Sequence, residues 1–363
     1  MIIDAHQDLA WNMLNFGRDY TRSVTETRQL EREKRGLGRE KIGDTLLGWP
    51  EYQTGRVAVI FATLFAAPAR KCLGEWDRLC YRDFDEAHAR YQVQLDVYHR
   101  LVDEHPDKFR LIQTRDDLHR LLREWDGRET EPCPVGLVIL MEGAEGVREV
   151  PELEEWFARG VRLIGPAWAG TRFCGGTGEP GPLTREGFAL LEAMAGLGIG
   201  LDLSHMDEKA ALQALDAYPG VLFASHANAR TLLKGTSSNR FLSDRVIRGI
   251  VERDGVIGVV PYNRFLRAGW QKSDGKQAVT LYEVAAQIDY ICQLAGDAYH
   301  VGFGTDFDGG FGWQSVPAGI DTIADLHKVA PLLAEKGYAD DDLAAIFSRN
   351  WQTILENTLP NDG

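Results

Sequence analysis

Thiolates are scarce in this chain. Its 363 residues hold five cysteines (Cys72, Cys80, Cys133, Cys174 and Cys292), and no two form a Cys-X-X-Cys pair. Odd in number and scattered, they indicate neither a disulfide framework nor a thiolate zinc site, and they fit buried small hydrophobes in a reducing compartment. Long apolar runs are also missing. The longest, VAVIFATLFAAPA between Arg56 and Arg70, is shorter than the ~20 residues a bilayer-spanning helix needs. No secretory signal is visible, because Asp4, His6 and Asp8 interrupt the place where its apolar core would lie. Positive charge is in deficit, with 40 Lys and Arg against 54 Asp and Glu, a formal −14. That balance argues against nucleic acid or an anionic membrane as the main partner. Together these absences predict a soluble, cytoplasmic protein.

What is present is a sizeable core, since 44% of the residues are hydrophobic. Eight short β-rich runs alternate with helical ones: MIIDAH, VAVIFATLF, VGLVILMEG, VRLIGPAW, GIGLDLSH, GVLFASH, GVIGVVPY and YHVGFGTDFDG. Several are apolar throughout, as parallel strands covered on both faces require. Between them, segments such as FDEAHARYQVQLDVYHRLVDEH and TRDDLHRLLREW carry one apolar stripe, while PLTREGFALLEAMAGLG starts on a Thr cap and stops at glycine. An open doubly wound sheet would place a Gly-rich phosphate loop after the first strand, but HQDLAWN stands there. The pattern therefore predicts an α/β protein, a single (β/α)8 TIM barrel over residues 1–363. Long loop excursions are expected near 15–48 and 169–182.

Chemistry-bearing residues gather at the carboxyl ends of these runs. His6 and Asp8 follow the first, Glu142 the third, His205 the fifth, His226 the sixth, and Asp306 with Asp308 the eighth. In a barrel all these ends meet on one rim, where the fold builds its active sites. Each residue alone has a bland reading, such as a loop acid, a core histidine or an Asx turn. Their joint placement favours a metal site. The other six histidines (His88, His99, His105, His119, His300 and His327) fall in helical segments or just inside a strand and receive no chemistry. Imidazoles and carboxylates without thiolates suit two divalent cations, with Zn2+ the default. One pocket would be His6, Asp8 and Glu142, and the other Glu142, His205 and His226. Asp306 is placed to move protons, while Asp308 is closer to leaving the rim.

These motifs resemble the renal or membrane dipeptidase family, the M19 metallopeptidases of the amidohydrolase superfamily. DAHQDLAW, MEGAEGV, LTREGFALLEAMAGLGIGLDLSH, SHANAR, NRFLSD and HVGFGTDFDG occur in the family's order over nearly the whole chain. The resemblance implies a binuclear zinc barrel that hydrolyses dipeptides, often with a D-residue at the carboxyl-terminal side. It implies His6, Asp8, Glu142, His205 and His226 as ligands, Glu142 bridging, and Asp306 as the proton-transfer residue beside a metal-bridging hydroxide. Arg240 in NRFLSD matches the family arginine near the substrate carboxylate, and Tyr262 in VVPYN a pocket tyrosine. A small-molecule substrate, a dipeptide or an N-acyl amino acid, is the expected partner, and a homodimer is left open.

One departure stands out. After its fourth strand the family carries a histidine that polarises the scissile carbonyl, whereas here Trp168 in VRLIGPAWAGTRF takes that place. An indole N–H donates a hydrogen bond but cannot become cationic. Arg172 is one candidate replacement. The alternatives are a non-dipeptide amide substrate, for which Trp168 offers an apolar wall, or a binding protein that keeps its metals without turnover.

Overall fold

In the computed structural model, which describes residues 1–127 and 132–361, the eight predicted runs form parallel strands of one sheet. They are β1 (Ile2–Gln7), β2 (Val57–Phe65), β3 (Val135–Glu142), β4 (Val161–Gly165), β5 (Gly200–Asp202), β6 (Leu222–Phe223), β7 (Ile257–Val259) and β8 (Val301–Phe303). The order is β7-β8-β1-β2-β3-β4-β5-β6. The ring closes where Ala224 bridges to Ile257, with the Gly258 N–H donating to the Ala224 carbonyl at 2.8 Å. This is the expected (β/α)8 barrel. Every residue of β2 and β3 is buried, which explains their unbroken apolar sequences. One buried apolar cluster runs from Ile2 to Leu359.

Register carries the functional ends to a common height. Phe65 pairs with Glu142, and Glu142 with Gly165. A buried Asp4 in β1 accepts from the Thr305 N–H (2.7 Å) and hydroxyl (2.6 Å), tying the exit of β8 to β1. A short strand, Phe109–Leu111, which the alternation of runs does not reveal, pairs with the first half of β3.

Both excursions carry structure of their own. The first contains helices Val24–Glu33 and Leu37–Lys41, the former opened by a Ser23–Glu26 capping box. Its anchor is Asp308, which accepts from Leu46 N (2.9 Å), Tyr20 OH (3.0 Å) and Thr45 Oγ1 (2.5 Å) and pairs with Arg18 at 3.1 Å. Asp308 is thus fully committed to holding this segment. The second excursion is a hairpin of Cys174–Gly176 and Glu179–Leu183.

The cysteine expectation is corrected. Cys72 and Cys80 form a disulfide, because the loop after β2 folds back on itself through Ala69 N to Tyr81 O (2.7 Å) and Tyr81 N to Ala67 O (3.0 Å). Cysteine usage therefore does not argue for a reducing compartment. Cys133, Cys174 and Cys292 are buried thiols, as expected. Among the described residues no helix is long and apolar enough to cross a membrane.

Packing inside the barrel depends on a close approach just after β8, where a Cβ on Gly304 would overlap the carbonyl oxygen of Ser225, which follows β6 two strands away in the ring. Backbone cannot yield as a flexible side chain can, so Gly304→Ala is expected to cost about 3 kcal/mol or more. Urea unfolding checks this, and a loss below about 1 kcal/mol would contradict the packing described.

Candidate metal centre

The barrel brings the predicted ligands together at its carboxyl-terminal rim. His6, Asp8, Glu142, His205 and His226 are all buried. Glu142 is central: its Oε1 lies 3.1 Å from His205 Nε2 and 3.3 Å from His226 Nε2, and its Oε2 lies 3.7 Å from His6 Nε2. Asp8 Oδ1 stands 3.8 Å from the same His6 nitrogen. Ligand atoms of His6, Glu142 and His226 fall within 4.8 Å of one another, and so do those of His6, Asp8 and Asp306. All of them except His6 line a cavity of about 440 Å³, which Arg240, Tyr262 and Trp168 also line.

A layer of hydroxyls, none of them given this role by the sequence reading, aims the ligands. Asp202 takes the Ser225 hydroxyl proton at 2.5 Å, so Ser225 Oγ is left to accept from His226 Nδ1 at 2.8 Å. That contact puts the proton on Nδ1 and turns the Nε2 lone pair toward the cavity, the usual way an outer hydrogen bond prepares a histidine ligand. His6 Nδ1 lies 3.3 Å from the same Ser225 oxygen. Thr177 Oγ1 meets His205 Nδ1 at 2.9 Å, and the Thr63 hydroxyl donates to Asp8. Tyr91 donates to the Glu142 carbonyl at 2.9 Å. Backbone conformation contributes as well, because His205 (φ 65°) and Asp306 (φ 55°) adopt the left-handed region that non-glycine residues rarely enter.

The donor set fits a divalent cation. His6 Nε2 is buried without a hydrogen-bond partner, and the His205 and His226 Nε2 atoms sit 2.9 Å apart beside a carboxylate oxygen. Three carboxylates, Asp8, Glu142 and Asp306, converge with Arg240 as the cationic side chain beside them. Protons alone serve the cluster poorly. Burial, then His6 and Arg240, holds the His226 imidazole well below its usual range, and burial with Arg240 brings His205 down to about 4. At His6 burial is outweighed by Glu142, Asp8 and Asp306, which raise it to about 10. Burial also pushes Asp8 up to about 6. A site in which one imidazole must take the charge that three carboxylates demand is one that a cation would occupy.

The remaining predicted residues divide. Arg240 is buried, and its Nη2 donates to the His226 carbonyl at 2.7 Å, while Nε and Nη1 have no partner. Tyr262 stacks on Phe311 at 4.1 Å. Trp168 packs on Phe65 at 5.0 Å, with its ring 6.1 Å from that of His205. Arg172 does not replace the family histidine. Its Nη2 donates to the Val147 and Arg148 carbonyls, and its guanidinium stacks on Phe84 and Phe173, outside the cavity lining. Three of the histidines given no chemistry fasten elements instead: His88, His99 and His300 meet the carbonyls of Gly146, Arg159 and Gly255.

Comparison with known proteins gives the family and the fold. The sequence model described as Membrane dipeptidase (Peptidase family M19) matches residues 1–361. A Klebsiella pneumoniae protein, described as an uncharacterized protein in the pqqA 5' region, is 31% identical over 274 residues, spanning 73% of this chain and 94% of that protein. An uncharacterized dipeptidase of Schizosaccharomyces pombe is 28% identical over 70% of this chain, the match spanning 59% of its own length. The barrel superposes on a Rhodobacter sphaeroides metallopeptidase liganded with a phosphinate mimic of the dipeptide L-Ala-D-Ala. That likeness has a TM-score of 0.75 at 22% identity, covering 98% of this chain and 99% of the other, and it shows the shared fold. With the family's sequence pattern running from the first strand to the last helix, the chain belongs to the membrane dipeptidase family, peptidase family M19, a family of metallo-dipeptidase hydrolases.

Proposed function

We propose that the protein hydrolyses the amide bond of dipeptides, including those with a D-residue at the carboxyl-terminal side, or of N-acyl amino acids. The observation that carries this reading is Arg240, a buried guanidinium lining the cavity beside the candidate centre, with two nitrogens that have no hydrogen-bond partner. Such a group matches a free carboxylate, the feature these substrates share. The L-Ala-D-Ala mimic held by the Rhodobacter sphaeroides relative supports the D-residue.

His6, Asp8, Glu142, His205 and His226 would hold two divalent cations, with zinc suited to the nitrogen and oxygen donors. When bound, such ions supply Lewis acidity toward a carbonyl and make water a nucleophile at neutral pH. The chain's own groups do the rest. Arg240 fixes the carboxylate and so sets which amide lies over the centre. Asp306 takes a proton from the attacking water and returns it to the departing amine. Burial raises its carboxyl well above the usual range, opposed by His6 and reinforced by Asp8 and Glu142. Its backbone N–H donates to the His6 carbonyl at 3.1 Å, registering it against β1.

Trp168 at the place of the family's histidine favours a second reading, a binding protein that retains its metals. Asp306 weighs against it, since binding alone needs no further acid in that position.

Two outcomes are expected. With zinc-loaded protein, Arg240→Ala should raise KM at least tenfold for free-carboxylate dipeptides and much less for the corresponding amides; equal losses on both would contradict the clamp. Gly309 leaves room for the proton carrier, because a Cβ there would overlap Asp306 Oδ1 and approach its carbonyl oxygen to 2.9 Å. Gly309→Ala should therefore lower kcat toward the ~10²-fold or larger loss expected of Asp306→Asn, with zinc content unchanged. Wild-type turnover in Gly309→Ala would show that Asp306 needs no such placement.

A further inference from the structure

The cavity has two unlike sides. Arg240, Tyr262, Phe265 and Phe311 come from segments after β6, β7 and β8. On the other side, from the end of β2 and the segments after β1, β2 and β4, stand Phe65, Trp11, Leu73 and Trp168. Phe65 joins the second group together, its ring 5.0 Å from Trp168 and 6.2 Å from Trp11. Leu73 completes it from the loop closed by Cys72–Cys80 and is 45% exposed, a large apolar side chain left open at a cavity mouth. The carboxylates lining the cavity, Asp8, Glu142 and Asp306, belong to the metal centre and its proton carrier. Among the described residues no further acid lines this side of the cavity; Asp77 lies behind it, against Trp11. Lys71, at the rim, lies 3.9 Å from Glu179.

We infer that the half of the substrate on the amino side of the scissile bond carries a large apolar, preferably aromatic, side chain, seated against Trp168, Phe65, Trp11 and Leu73. This rests on Arg240 as the carboxylate clamp. A carboxylate held on the β6–β8 side places the amide over the centre and directs the amino-side residue toward the opposite wall. That wall removes apolar surface from water and offers nothing to a charged side chain, so it selects by burial and by desolvation cost. Trp168 takes on a specificity role in place of the polar one its family position has.

The test uses zinc-loaded, full-length Asp306→Asn protein and calorimetric binding of L-Phe-D-Ala, Gly-D-Ala, L-Lys-D-Ala and L-Glu-D-Ala. The phenylalanine dipeptide should bind at least about tenfold more tightly than each of the others. Trp168→Ala in the same background should remove most of that advantage, bringing L-Phe-D-Ala to within about threefold of Gly-D-Ala. The same order is expected in kcat/KM of the wild-type enzyme, which serves if Asp306→Asn does not fold. Equal affinities across the series, tighter binding of a charged member, or no binding of L-Phe-D-Ala would overturn the inference. The expected binding order without hydrolysis of any member by the wild type would overturn the proposed reaction instead and leave the apolar subsite standing.

Discussion

Three carboxylates and three imidazoles are packed into one end of a barrel from which water is largely excluded, and everything else at that end answers to the charge they create. Glu142 meets the Nε2 atoms of all three histidines within 3.7 Å, and protons neutralise such a cluster only by leaving one imidazolium to face several acids. A divalent cation resolves this at once, because it engages lone pairs that hydrogen bonds have already turned inward. The Asp202–Ser225 pair does that for His226, Thr177 meets the outer nitrogen of His205, and Thr63 secures Asp8.

The scaffold's task is to hold these groups where mutual repulsion would move them apart. Asp4 fastens the exit of β8 to β1 through Thr305, one residue before Asp306. Asp308, two residues after it, is bound by Arg18, Tyr20, Thr45 and Leu46, so the first excursion is clamped to the same strand end. Asp306, the proposed proton carrier, is thereby fixed on both sides where it lines the cavity. Alternation of acids along TDFD thus separates a group that lines the cavity from one that holds the protein together.

Much of this was legible in the sequence because the barrel converts strand order into convergence. Once the eight runs are recognised, the ends bearing His6, Glu142, His205, His226 and Asp306 have to meet, and they do. Less legible were the parts that depend on contacts between distant segments. Thr63, Thr177 and Ser225 look like ordinary hydroxyl residues until folding sets them behind the ligands. Cys72 and Cys80 are eight residues apart in no standard motif, and only the loop's return on itself pairs them. The excursion from 15 to 48 was expected as loop, yet its capping box and Arg18 anchor make it helical. Arg172 looked free to serve the site, and the stacking of Phe84 and Phe173 beneath its guanidinium shows where it is spent instead.

The most direct test of the central claim is the metal content of unstripped, purified protein, by elemental analysis set against protein concentration. The charge and donor arrangement predict about two transition-metal ions per chain, reduced when Glu142 is replaced by Gln. Protein that carries no such ion, and takes up none when zinc is supplied, would contradict the account at its base.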